Sequence, residues 1–174
     1  MNAYKFLLIT AMIIAAVVSR FILHPPNFTP ISAITLFGGA YYSDKKLSFI
    51  IPLLAMFLSD LYLGIHNFVP FVYISFAIIV FLSFQLREKK SPLKIGASVV
   101  SGSIVFFIVT NFAVWFVGNY YPKTFEGLIT SNIAAIPFFK NSLLGDLVYT
   151  TLLFGSFELI KNYIAKLEQV KIEN

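Results

Sequence analysis

Long apolar runs separated by short polar breaks dominate the chain. Residues 47–64, LSFIIPLLAMFLSDLYLG, show the pattern most clearly. The run approaches the ~20 residues that a helix needs to cross a bilayer core. One carboxylate, Asp60, sits near its end. A charge at that depth costs ~2.5–3.5 kcal/mol on insertion scales, so Asp60 is expected to face a partner or a watery cavity rather than lipid.

The runs predict an all-α fold: one integral membrane domain, 1–174, of about six transmembrane helices. The spans are placed at about 4–23, 30–43, 47–65, 68–86, 94–118 and 138–160, with a basic amphipathic tail over 161–174. A signal peptide with Lys5 in its n-region is the rival reading of the first run, but that run is long and further spans follow. His24-Pro25-Pro26-Asn27 stops the first helix, because proline lacks a donor and disfavours helix in the residue before it. Pro30 suits the first turn of the second, with Thr29 as its cap. That second helix is short, so it is either steeply placed or only part of a span. Asp44-Lys45-Lys46 makes a polar turn, and Pro52 lies in the first half of the third span. Gly64 ends that span before a short loop at His66-Asn67, and residues 87–92 break the chain again. The longest connection is 119–137, where the apolar stretch GLITSNIAAI could form a short helix over the bundle.

Composition agrees with this pattern. The 174 residues are 58% hydrophobic and 12% charged, against roughly 45–50% and 25% in average soluble domains. Twenty Phe and nine Tyr suit lipid contact, interfacial belts, or a pocket for a flat ligand. There is no Cys, which excludes disulfides, cysteine nucleophiles and thiolate metal sites.

The net charge of +5 is placed unevenly. With the amino terminus inside, the cytoplasmic side holds Lys5, Lys45, Lys46, Arg87, Lys89, Lys90, Lys94, Lys161, Lys166 and Lys171. The other side holds only Arg20, Lys123 and Lys140. The positive-inside rule therefore predicts two cytoplasmic termini in a multi-pass protein of the cell (inner) membrane. The basic excess faces the anionic bilayer surface and is not a nucleic-acid patch.

Polar residues within the spans gather at the predicted outer ends. Arg20, Asn27, Asp60, Asn111, Trp115, Asn119, Asn132, Asn141, Asp146 and Tyr149 are the candidate substrate-binding residues, with His24 and His66 nearby in loops. Asn111, Trp115 and Asn119 follow i, i+4, i+8 and share a helix face. Plainer roles exist for each. Asn111 suits an interhelical hydrogen bond, Trp115 an interfacial anchor, and Arg20 a structural ion pair with Asp60 or Asp146. The histidines suit loops rather than ligation. The clustering on one side favours an outward-facing pocket.

Ala11, Ala15 and Ser19 form a small-residue groove on the first helix. Such grooves let another helix approach closely, whether from this bundle or from a partner. The fifth helix has similar faces, Ala97/Ser101 and Ser98/Gly102. No GxxxxGK[ST], HExxH or GxSxG occurs. The chain therefore carries no nucleotide-binding loop of its own and nothing that prepares a nucleophile. Neither a metal nor a cofactor is expected, and an enzyme has no positive support. No ring of charged or carbonyl motifs speaks for a channel.

Ala11-Met12-Ile13-Ile14-Ala15 resembles the AxxxA docking motif of the substrate-binding (S) components of energy-coupling factor transporters. PLLAMFLSDLYLG, ending Asp60-Leu61-Tyr62-Leu63-Gly64, resembles their third helix, and Leu144-Gly145-Asp146-Leu147 the start of their last. The resemblance implies a vitamin or micronutrient captured from outside under a lid of the loops after the first, third and fifth helices. It implies a membrane coupling subunit and two separate ATPases as partners, docking at Ala11/Ala15/Ser19, and a toppling motion that releases the ligand inward. The competing expectation is a structural or assembly subunit of another membrane complex, with no small ligand.

Overall fold

A computed structural model describes residues 3–22, 25–65 and 67–173, the last three without their side chains. Among the described residues the chain is helical, with no strand. Helix α1 (Ala3–Val18) ends in a 3-10 turn, Ser19–Phe21. Then come α2 (Ile31–Tyr41), α3 (Lys45–Leu63), α4 (Val69–Ser83, with a 3-10 turn to Leu86), α5 (Pro92–Val117) and α6 (Phe125–Glu173). Five helices are long and apolar enough to cross a membrane. Large apolar side chains such as Leu7, Leu54, Phe81 and Leu152 are exposed on the perimeter, as expected where the surrounding solvent is lipid.

The exception is α2, which is the axis of the bundle. Its 11 residues rise only about 16 Å, half a bilayer core. Every residue from Ser32 to Ala40 is buried, and α2 touches all the other helices. The second predicted span is thus part of a span, enclosed by protein. A helix apolar all round is stable only when buried in this way. Gly39 allows the packing: a Cβ there would lie 1.7 Å from the Ser83 hydroxyl oxygen.

Both ends of α2 are satisfied from outside it. Thr29 does not cap it. The cap position is Pro30, which makes no side-chain cap bond. Instead Asp146 of α6 faces the Ser32 hydroxyl and the backbone N–H groups of Ser32 and Ala33. At the other end Arg87, just after α4, donates to the carbonyls of Gly39 (2.9 Å), Tyr42 (2.8 Å) and Ser43 (3.3 Å) and to Ser48 Oγ (2.7 Å).

The predicted connection 119–137 contracts to the few residues before Phe125, because α6 begins there and runs unbroken for 49 residues. GLITSNIAAI is helical but joined to the sixth span, with Pro137 inside the helix. Proline removes one backbone hydrogen bond, a loss that helices in apolar surroundings accommodate through neighbouring groups. Helix α6 runs antiparallel to α5: Ser131 donates to the Asn111 carbonyl (3.4 Å), Phe107 meets Phe139 (4.9 Å) and Ser103 meets Asp146 (2.7 Å). At ~1.5 Å per residue α6 is about 70 Å long, far more than a ~30 Å bilayer core. Its last turns overshoot the bundle. From Lys161 to Val170 only Ile164 is even partly covered.

Lys5 of α1 and Lys161 of α6 line one hollow together with Lys90, so both chain ends lie at a common, lysine-rich end of the bundle.

Candidate functional site

The polar residues at the opposite end fall into separate places. The first is an ion pair. Arg20 Nη2 lies 2.8 Å from Asp60 Oδ1, both largely buried. Arg20 also donates to Ser59 Oγ, and Tyr73 OH donates to Asp60 Oδ2 (2.8 Å). The 3-10 turn ending α1 brings Arg20 to the last turns of α3. Both carboxylate oxygens of Asp60 are thereby occupied. Asp60 thus faces Arg20 at the end of α1 and Tyr73 of α4.

The second is Asp146, 4% exposed. It accepts from Ser103 Oγ of α5 (2.7 Å) in addition to the α2 donors. A helix N-terminus attracts the negative end of a carboxyl group, and these hydrogen bonds give the buried oxygens their partners. Gly145 beside it admits the segment that leads into α2: a Cβ there would lie 3.0 Å from Thr29 N and 3.2 Å from Phe28. Asn141 Nδ2 donates to the Pro26 carbonyl (3.0 Å), and the Tyr149 ring lies 5.9 Å from that of Phe28. Asn141, Gly145, Asp146 and Tyr149 therefore hold the 25–30 segment and α2 in place.

The third is the turn between α5 and α6. Trp115 Nε1 donates to the Pro122 carbonyl (2.8 Å). Lys123 donates to the carbonyls of Trp115 and Gly118 and lies 6.0 Å above the Trp115 ring. Trp115 thus pins this turn. Asn119 is exposed beside it, and Asn132 bonds back to Leu128 of its own helix (2.9 Å).

Among the described residues Asp60, Trp115 and Asp146 line no shared hollow, and each is satisfied by a different neighbour. A hollow exists nonetheless. A cavity of about 350 Å³ opens between α4, α5 and α6, with Asn27 and Tyr121 from the connecting segments at its edge. Its walls carry Phe68, Phe106, Phe107, Phe138 and Phe139, and its polar groups include Asn27, Thr110, Asn111, Tyr121, Ser131 and Ser142. Among the described residues no charged side chain lines it. Of the ten predicted binding residues only Asn27 and Asn111 take part. Asn27 holds φ of 62°, a left-handed conformation that asparagine tolerates better than most residues. Asn111 Nδ2 donates to the Phe107 carbonyl (2.7 Å), while its side-chain carbonyl has no partner among the described residues.

The missed lining residues did leave a signal. Phe106, Thr110 and Val114 lie at i, i+4, i+8 on α5, and Ser131, Ala135, Phe138 and Ser142 follow one face of α6. With so many Phe in the chain, that periodicity does not separate a cavity wall from core. His24 and His66 lie outside the described residues.

A family model described as a family of unknown function, DUF6580, matches residues 1–168. The chain belongs to DUF6580. No curated protein and no solved structure matches it.

In this DUF6580 chain the α1 face holding Ala11 and Ala15 is exposed, and so are Ile14 and Val18 beside it. Ser19 is half-buried, with its hydroxyl bonded to the Ala16 carbonyl (2.7 Å). The bundle does not cover this groove. On α5, by contrast, Ser98 and Gly102 are buried while Ala97 and Ser101 are exposed.

Proposed function

We propose that this DUF6580 protein is the solute-binding subunit of a micronutrient importer, taking a small, flat, uncharged ligand into the cavity between α4, α5 and α6. Five helices long and apolar enough to span a bilayer supply the membrane setting. The lysine-rich end goes to the cytoplasm by the positive-inside rule, which turns the cavity outward. The observation that carries the reading is the cavity itself. Its volume, about 350 Å³, lies in the range of small-molecule sites, which combine apolar and aromatic walls with a few convergent polar groups. Phenyl faces suit stacking against a ring. A lining of amide and hydroxyl groups without charge suits a neutral ligand, because a charged one would be desolvated unpaired. The segments carrying Asn27 and Tyr121 act as the lid.

The uncovered Ala11/Ala15 face is then the docking surface for a membrane coupling subunit driven by two ATPases, consistent with the missing nucleotide-binding loop. A structural or assembly role is the second reading. It is favoured by Arg20, Asp60 and Asp146, all of which are spent on internal contacts. Native mass spectrometry of the purified protein separates the two. The importer reading predicts a retained neutral ring compound of a few hundred daltons. A protein with no retained compound and no thermal response to a broad vitamin panel has the structural role.

A further inference from the structure

The cavity between α4, α5 and α6 has a hydrogen-bonding polarity, set by where its wall groups already direct their protons. Thr110 Oγ1 lies 2.7 Å from the Phe106 carbonyl, one turn back on α5. A carbonyl only accepts, so the hydroxyl proton points there and the oxygen offers lone pairs to anything else. Ser131 of α6, 2% exposed, directs its proton in the same way to the Asn111 carbonyl (3.4 Å). Asn111 gives one amide N–H to the Phe107 carbonyl (2.7 Å). That contact fixes which end of the amide is the nitrogen, and it leaves Oδ1 open.

Across these three wall residues an incoming molecule meets three oxygen acceptors and one remaining N–H, the second of Asn111. Free donors lie elsewhere in the lining. Asn27 and Tyr121 hold them at the edge, and the Ser142 hydroxyl can turn either way. A ligand edge that only accepts would displace water from the wall oxygens and leave them bare. An edge with N–H groups replaces the water's hydrogen bonds and avoids that penalty.

We propose that the cavity selects a flat, neutral ring whose inner edge carries N–H donors, of the lactam or cyclic-urea kind, with its carbonyl toward the donors at the rim. This rests on the solute-binding reading and narrows it from neutral rings in general to rings with a donating edge. A ring edge of ether, ester or alkylated nitrogen atoms sets acceptor against acceptor. Thr110 and Ser131 thereby determine specificity, together with Asn111.

Two shape-matched pairs of neutral bicyclic compounds test this on full-length protein in detergent, by equilibrium dialysis and thermal unfolding. In each pair one ring N–H is exchanged for a ring oxygen: 2-quinolinone against coumarin, and benzimidazol-2-one against benzoxazol-2-one. The member with the additional N–H is expected to bind about tenfold more tightly, the worth of one hydrogen bond to an otherwise unmatched buried acceptor. Thr110→Val/Ser131→Ala removes both hydroxyls from helix interiors, where the carbonyls they touch keep their backbone partners. It should shrink both ratios severalfold by weakening the N–H-rich members. Ala135→Phe, which fills the cavity, should abolish binding of all four compounds. Ratios at or below one, with binding lost in Ala135→Phe, would overturn the donor-edged ring and leave the solute-binding reading standing. Ratios unchanged in Thr110→Val/Ser131→Ala would overturn the assignment to these hydroxyls. Binding that survives Ala135→Phe would overturn the cavity as the site, and both readings with it. Binding by none of the four would overturn the donor-edged ring, while the broad vitamin panel decides solute binding by itself.

Discussion

Asp146 and Arg87 grip opposite ends of one buried helix. Asp146 meets the first-turn donors of α2, at Ser32 and Ala33, and Arg87 takes the last carbonyls, with Nε 2.9 Å from Gly39 O and Nη2 2.8 Å from Tyr42 O. The polarities match the helix dipole, a carboxyl group at the amino end and a guanidinium at the carboxyl end. An 11-residue helix is shorter than the ~12–15 residues at which isolated helices become even marginally stable. Its order therefore comes from what surrounds and caps it.

Removing one cap should show this. Asp146→Ala leaves buried N–H groups without an acceptor and is expected to cost about 1–3 kcal/mol. Asp146→Asn keeps an acceptor and should cost less. Thermal unfolding in detergent should rank wild type above Asn and Asn above Ala. An Ala variant as stable as wild type would remove the capping role.

The Arg20–Asp60 pair is expected to support stability rather than solute binding. Breaking a buried pair by truncating one partner typically costs about 3–5 kcal/mol, whereas apolar replacement of both is often neutral or better. Asp60→Leu should therefore be less stable than Arg20→Leu/Asp60→Leu. Both should retain the ligand response wherever they fold. Loss of that response in a folded double variant would return Asp60 to the binding site.

Much of the bundle was legible in the chain because hydropathy and helix length report directly on the bilayer. Residues 47–65 and 94–118 read as spans for that reason. The short run after Pro30 did not reveal that it is the core, because a buried helix and a lipid-facing one are equally apolar. Pro137 read as a boundary, yet the helix passes through it. The most conspicuous polar residues make internal contacts. Asp60, Trp115 and Asp146 were conspicuous because charge and indole are costly in lipid, but that cost is also why each is satisfied internally. The cavity is instead built from Phe, Ala, Ser and Thr, whose identities look the same in a wall and in a core.

The absence of Cys makes orientation simple to test. Tyr120→Cys, at an 82% exposed position between α5 and α6, is expected to react with an impermeant maleimide on intact cells. Glu88→Cys, between α4 and α5, should react only after permeabilisation. The reverse pattern would turn the cavity toward the cytoplasm.

The groove on α1 should behave as a docking face. Ala11→Leu/Ala15→Leu fills an exposed surface, so it should leave folding and ligand response intact. Copurification with a coupling subunit should fall to background. Undiminished assembly would remove the docking role.

Thermal unfolding with a panel of vitamin-like compounds tests the central claim most directly. A neutral, flat compound is expected to raise Tm, with stabilisation near ~2.7 kcal/mol at one hundred times Kd. Ala135→Phe, which fills the cavity, should abolish the shift, and Asn111→Leu should weaken it. A shift that persists in Ala135→Phe, or no shift from any compound, would contradict the account.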